Sequence, residues 1–214
     1  MEYFRVEKAG KHTLRPALSS DNYQDIAGLI YDSDPYIYPY WFDKDRCAGI
    51  RTLAKLFTTP GNLYACANIS VLVENRSQKP IGVVVAANRH SKLNYDMNDF
   101  MINDRAGRAI LQSVMAEVEL ARMAQSNELE ITNVCIAERY RGQGIGKWML
   151  RNFLARMGDL GYHRFMLTCL KKNITARELY GRLGFQVTSE TEAFANPKIQ
   201  PPPKALRMEY TMMN

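Results

Sequence analysis

The sequence has no long apolar run and no paired-cysteine pattern, and each absence removes a class of protein. No stretch reaches the ~18 consecutive apolar residues that a membrane-spanning helix needs. Its opening, MEYFRVEKAGKH, lacks the apolar core of a secretory signal. The expectation is a cytoplasmic protein with no membrane partner. Cys47, Cys66, Cys135 and Cys169 form no C-x-x-C pair, and His12, His90 and His163 show no metal-ligand spacing with them. Neither a disulfide framework nor a zinc site is expected, no metal is implied, and the thiols read as small buried hydrophobes. Internal repeats, low-complexity tracts and a convincing linker are also missing. The 214 residues, 46% of them hydrophobic, therefore read as one domain, residues 1–214, with a sizeable core.

What the chain does have is positive charge in one place. The net charge is +6, and between Arg139 and Arg182 ten Lys or Arg face only Asp159 and Glu178, so the remainder is slightly acidic. Charge gathered over so short a stretch suits a compact polyanion at least as well as a long duplex. No basic strand interleaved with aromatics accompanies it, which argues against nucleic acid as a partner.

Hydrophobic periodicity and turn chemistry order the chain. KHTLRPAL reads as a strand, and DNYQDIAGLIYDS as a helix capped by Asp21. A Pro- and aromatic-rich loop follows, then a helix over Lys44 to Phe57 stopped by Pro60-Gly61. ISVLVENRSQKPIGVVVAAN reads as a hairpin of two β-branched runs. Residues 91–127 hold a polar loop and a helix within AGRAILQSVMAEVELARMA. LEITNVCIA and RFMLTCL read as strands on either side of a helix whose apolar positions run from Ile145 to Met157. Asn173 caps a short helix that ends at Gly184, and FQVTSET and ALRMEYTM close the chain as a strand pair.

At CIAERYRGQGIGKWML, residues 135–150, three glycines and several cations sit between a strand and a helix. Glycine weakens both flanking elements, so packing is a poor reason for it and a ligand is a better one. A glycine-rich turn leading into a helix N-terminus points unpaired N–H groups and the helix dipole at one spot, which is phosphate-binding geometry. A Walker loop fails, because Arg141 stands where it needs Gly and Trp148 where it needs Ser or Thr. A dinucleotide fingerprint fails as well, because Lys147 or Met149 occupies its third glycine.

What fits is R/Q-x-x-G-x-G/A, written here as Arg141, Gly144 and Gly146, and with it the sequence resembles the GNAT acyltransferase superfamily. Downstream, NITARELYGRLGF is similar to that family's Asn, Tyr and Leu-Gly-Phe signature at the customary distance. The resemblance is strong over the motif-bearing core, 128–188, and topological over the acceptor-side region, 12–127. It implies an α/β fold of the α+β type in three layers, with helices flanking a central, mostly antiparallel twisted sheet. The sheet's fourth and fifth strands, LEITNVCIA and RFMLTCL, would splay apart for the pantetheine arm of acetyl-CoA, the implied co-substrate. The pyrophosphate would rest on amides of Gly142, Gln143, Gly144, Ile145, Gly146 and Lys147 beside Arg141. The partners implied are acetyl-CoA and an amine acceptor, and pairing of two copies is compatible with the fold.

Acetyl transfer to an amine needs donors for the developing oxyanion and a proton for the departing thiolate. Backbone N–H groups around Val134, Cys135 and Ile136, left without strand partners at the splay, would serve the first need. By resemblance Tyr180 is the general acid, and Asn173, two turns earlier on the same helix face, is either a cofactor contact or simply the cap. The same resemblance implies direct transfer in a ternary complex, which removes Cys135 as a covalent nucleophile. Glu128 and Glu130 share a strand face and are the alternatives for a general base, with Glu130 deeper and easier to desolvate. In YDSDPYIYPYWF, Asp34, Tyr36 and Tyr38 offer carboxylate and cation–π faces to a cationic acceptor, although the rings equally suit helix packing. Two other classes stay open. A non-catalytic acyl-CoA sensing module would bind CoA without turnover, and a basic nucleic-acid-binding protein is the third class, which the confinement of charge to residues 139–182 speaks against.

Overall fold

Valine-dense runs make the centre of the molecule, because β-branched side chains pack well on a pleated, buried surface. Ile69–Glu74 (β3) and Pro80–Ala87 (β4) form the expected antiparallel hairpin, with Val71 opposite Val83. A computed structural model of the chain describes residues 7–42, 44–88, 125–192 and 204–212. The helix expected within AGRAILQSVMAEVELARMA and most of the Pro-rich loop near the C-terminus lie outside the described residues.

The remaining strands are β1 (Glu7–Ala9), β2 (His12–Pro16), β5 (Glu128–Ile136), β6 (Arg164–Leu170), β7 (Gln186–Glu192) and β8 (Lys204–Thr211). Among the described residues they build one eight-stranded sheet in the order β1-β2-β3-β4-β5-β6-β8-β7. Every neighbouring pair is antiparallel except β5 with β6. The two strands expected as fourth and fifth are thus fifth and sixth, since the three-residue β1 precedes the first one read from sequence.

Helices cover both faces. α1 (Tyr23–Tyr31), α2 (Ile37–Trp41) and α3 (Arg46–Thr58) pack on the face carrying Val71, Val73, Val83, Val85 and Cys135. α4 (Ile145–Asp159) and α5 (Ile174–Gly181) pack on the other, against Leu72, Val84, Leu129, Phe165 and Leu206. Strand alternation divides Val71 from Leu72 and Val83 from Val84, so each strand serves two cores.

Two local expectations change. Asn22, not Asp21, caps α1, its side chain accepting from the Gln24 and Asp25 amides. Asp21 is instead gripped by both terminal nitrogens of Arg15, at 2.8 and 2.6 Å. The segment read as an aromatic loop contains α2, started by Asp34, whose Oδ1 accepts from the Tyr36 and Ile37 amides. Pro39 is tolerated there because the first turn of a helix needs no intrahelical N–H.

Candidate active site

β5 and β6 pair over only four residues, Glu128 with Arg164 through Ile131 with Leu167, and then part. The cause lies on the opposite edge of β5. Its register with β4 jumps from Asn133–Val85 to Ile131–Ala86, leaving Thr132 as an extra residue. Such a bulge bends its strand and ends regular pairing, which is where the splay begins.

Beyond the bulge, alternation decides which amides face the gap. The Ala137 amide donates to the Ile81 carbonyl at 2.8 Å, so the hydrogen-bonding groups of Cys135, two residues earlier, also turn toward β4. Those of Val134 and Ile136 then turn away from β4, into the splay. The Ile136 carbonyl agrees with this parity, since it accepts from Arg141 Nε at 2.8 Å. The amides turned into the splay are therefore those of Val134 and Ile136, not that of Cys135.

The chain leaves β5 through a 3-10 turn, Glu138–Tyr140, tied back to β3 by the Tyr140 hydroxyl donating to Glu74 at 3.1 Å. Gly142 and Gly144 follow with φ of +74° and +76°, a backbone region that side chains strain to enter. A Cβ at either position would meet no atom within 4 Å, so both glycines border open space. Gly144 starts α4 without a side-chain cap, and the first intrahelical bond runs from the Trp148 amide to the Gly144 carbonyl. The amides of Ile145, Gly146 and Lys147 are therefore without intrahelical partners at the positive end of a 15-residue helix.

Strand, loop and helix share a cleft of about 690 Å³. Val134, Cys135 and Ile136 line it from β5, and Arg141, Gly142, Gly144, Gly146 and Lys147 from the loop and α4. Asn173 and Tyr180 line it from α5. Gln143 and Ile145 do not: the Gln143 amide group donates to the Arg139 carbonyl at 3.0 Å, and Ile145 packs on the α4 core. Tyr180 is 8% exposed, and its hydroxyl makes no hydrogen bond among the described residues. Burial, followed by the nearby Cys169 and Cys135, pushes its phenol well above the ordinary value, so it holds its proton. Asn173 Oδ1 caps α5 by accepting from the Ala176 amide at 3.1 Å. Burial also raises the Cys135 thiol, against the pull of Arg141, which disfavours the thiolate.

The carboxylates expected as bases stand elsewhere. Glu130 is buried in the paired part of β5, and both its oxygens are held at 2.6 Å by Arg207. Burial pushes its carboxyl up and Arg207 pulls it down, with burial the larger effect. Glu128 is joined to Arg164 at 2.7 Å, and Arg164 also grips Glu209. Neither lines the cleft, and each is held by an arginine. Tyr38 does not line it either. It is 1% exposed, its hydroxyl lies 3.0 Å from that of Tyr64 and accepts from Asn133 at 2.9 Å, and its ring packs beneath α1. Asp34 is occupied as the start of α2, and Tyr36 is exposed, one residue beyond the cleft-lining Pro35.

The wall facing α5 is formed by Asp32, Ser33 and Pro35, of which Ser33 carried no role in the sequence reading. Asp32 is the C-cap of α1 and pairs with Arg46 at 2.8 Å. Ser33 is held to β5 by Asn133, which donates to its hydroxyl at 2.8 Å. The available signal was position, since these residues follow directly where the α1 periodicity stops. Thr175, Leu179 and Arg182 line the cleft as well, from α5 and its C-cap.

Comparison with known proteins agrees with this geometry. The sequence profile of the Acetyltransferase (GNAT) family matches residues 13–185. Spermine/spermidine N(1)-acetyltransferase of Bacillus subtilis (strain 168) is 40% identical over 58 residues, 27% of this chain and 38% of that protein. An uncharacterized N-acetyltransferase of the same organism, YobR, is 35% identical over 60 residues, 28% of this chain and 24% of its own length. Both matches span well under two thirds of the relative. An N-acetyltransferase structure from Staphylococcus aureus Mu50 superposes with a TM-score of 0.62 at 18% identity, covering 92% of this chain and 99% of that one. At that identity the likeness is one of fold.

Proposed function

Because the chain belongs to the GNAT acetyltransferase family, we propose that it is an acetyl-CoA-dependent N-acetyltransferase acting on a primary amine of a small molecule or peptide by direct transfer. The cleft suits acetyl-CoA on its own geometry: open space over two left-handed glycines, an uncapped helix N-terminus, and strands held apart. When bound there, acetyl-CoA would supply the activated acyl carbon and a thiolate leaving group. The amides from Gly142 to Lys147 would hold the pyrophosphate, with Arg141 and Lys147 adding charge. The Val134 and Ile136 amides would polarise the carbonyl as the amine attacks. Tyr180, which holds its proton in the buried site, would donate it to the sulfur as the carbon–sulfur bond breaks, and recover it from solvent afterwards. With Glu130 and Glu128 engaged by arginines, the amine would shed its proton to solvent.

One observation carries the proposal: amides free of strand partners, a loop of left-handed glycines before an uncapped helix, and a buried phenol open onto the same cleft. The test is thiol release from acetyl-CoA across amines, peptides and aminoglycosides, with Tyr180→Phe as the internal control. That variant keeps the ring packing on Phe185 and should lose roughly 10²-fold in turnover with acetyl-CoA affinity retained. CoA binding with no thiol release toward any amine would instead identify a sensing module.

A further inference from the structure

The two walls of the cleft meet at its rim through a contact that acetyl transfer does not use. Pro35 lines the cleft from the α1–α2 loop and Asn173 from the start of α5. Their sequence neighbours touch: Lys172 Nζ sits 3.6 Å from the centroid of the Tyr36 ring. An ammonium at that distance is seated on the π face. Tyr36 is 39% exposed and Lys172 is exposed, and neither side chain makes a hydrogen bond or ion pair among the described residues. The Tyr36 backbone is nevertheless fixed, because its amide donates to Asp34 at 2.7 Å. A partly bare ring on a fixed backbone, next in sequence to a cleft-lining residue and already carrying a primary alkylammonium, offers a face that a ligand cation could take.

We infer that Tyr36 is the subsite for a second cationic group of the acceptor and that Lys172 is its intramolecular competitor. The inference rests on the acetyl-transfer reading above and narrows the substrate class. The acceptor would be an amine with a further primary alkylammonium several bonds from the reacting nitrogen, which displaces Lys172 from the ring. Arg141 and Lys147 line the cleft at the glycine loop and repel a cation from that end, while the Asp32 carboxylate near Pro35 is already paired with Arg46. The attacking nitrogen must be neutral to react, so the recognised cation has to be a separate group.

An internal competitor leaves a signature that a structural latch does not, because removing the two partners acts in opposite directions. The experiment compares hexamethylenediamine with hexylamine as acceptors, with acetyl-CoA affinity followed by calorimetry. Wild type should prefer the diamine. Lys172→Ala should lower the diamine KM about two- to fivefold, the range of an exposed cation–π contact, and leave hexylamine unchanged. Tyr36→Ala should raise the diamine KM by a similar factor and erase the preference, while Tyr36→Phe keeps it. Variants that shift KM in the same direction, or a Tyr36→Ala enzyme that still prefers the diamine, overturn the inference. So does a wild-type enzyme that acetylates other amines but not the diamine. If no amine at all releases thiol, the acetyl-transfer reading itself fails.

Discussion

At the scale of single residues, the glutamate preferred from sequence for its depth in the strand is one the fold has committed to an arginine. Glu130 and Arg207 form a bidentate pair with side-chain exposures of 2% and 16%. A buried pair of this kind adds little net stability, but removing one partner strands the other charge. Arg207→Ala should therefore cost about 3–5 kcal/mol near neutral pH. The pH dependence has a definite sign. Burial already raises the Glu130 carboxyl, and losing Arg207 raises it further. A group whose folded pKa is raised contributes fully below its unfolded pKa and loses that contribution as pH rises through the folded one. The deficit of the variant should thus be large at about pH 8 and shrink toward about pH 5, as Glu130 takes up a proton. Thermal melts of both proteins at the two pH values measure it, and a deficit independent of pH would mean that Glu130 is not the stranded charge. Arg207 lies 77 residues along the chain from Glu130, so nothing near Glu130 in sequence could reveal the pairing. The same holds for Asp21, whose commitment to Arg15 on β2 handed the capping of α1 to Asn22.

At the scale of elements, the motif was legible because its demands are local. Two left-handed turns before an uncapped helix require glycine whatever the rest of the chain does, and Asn173 caps α5 through a contact three residues away. The splay was legible only through the family resemblance. Its physical cause, the Thr132 bulge, depends on the register against β4, which no spacing within β5 encodes. The glycines themselves should separate backbone need from ligand need. Gly144→Ala places a side chain at φ +76°, costing about 1–2 kcal/mol, and points its methyl into the open space that a phosphate would fill. At Gly146 the added Cβ meets Ile136 and Leu179 at 3.5 and 3.8 Å, ordinary contact distances. The melting temperature should fall with Gly144→Ala and hold or rise with Gly146→Ala, and acetyl-CoA affinity by calorimetry should drop only in the first. Equal losses at both positions would show that the loop tolerates no side chain for reasons of packing alone.

At the scale of the molecule, the sheet is continuous across its middle only through the four residue pairs of β5 and β6. On one side stand β1 to β4 with the core beneath α1 and α3, and on the other β6, β8 and β7. Past Ile131 and Leu167 the two halves are not joined by strand pairing, and the amides of Val134 and Ile136 face the gap. A ligand arm entering there supplies the missing partners, so binding should act on the whole fold as well as on the site. Linkage sets the size: at a ligand concentration roughly 100-fold above Kd, stabilisation is about 2.7 kcal/mol. For a chain of this length that raises Tm by roughly 5–10 °C. Hydrogen exchange locates the effect. Val134 and Ile136 should exchange faster than Cys135 in the free protein, since Cys135 is paired with Val83, and should slow selectively when acetyl-CoA is added. Protection that rises uniformly along β5, or first at Cys135, would place the ligand outside the splay and take the oxyanion role from these two amides.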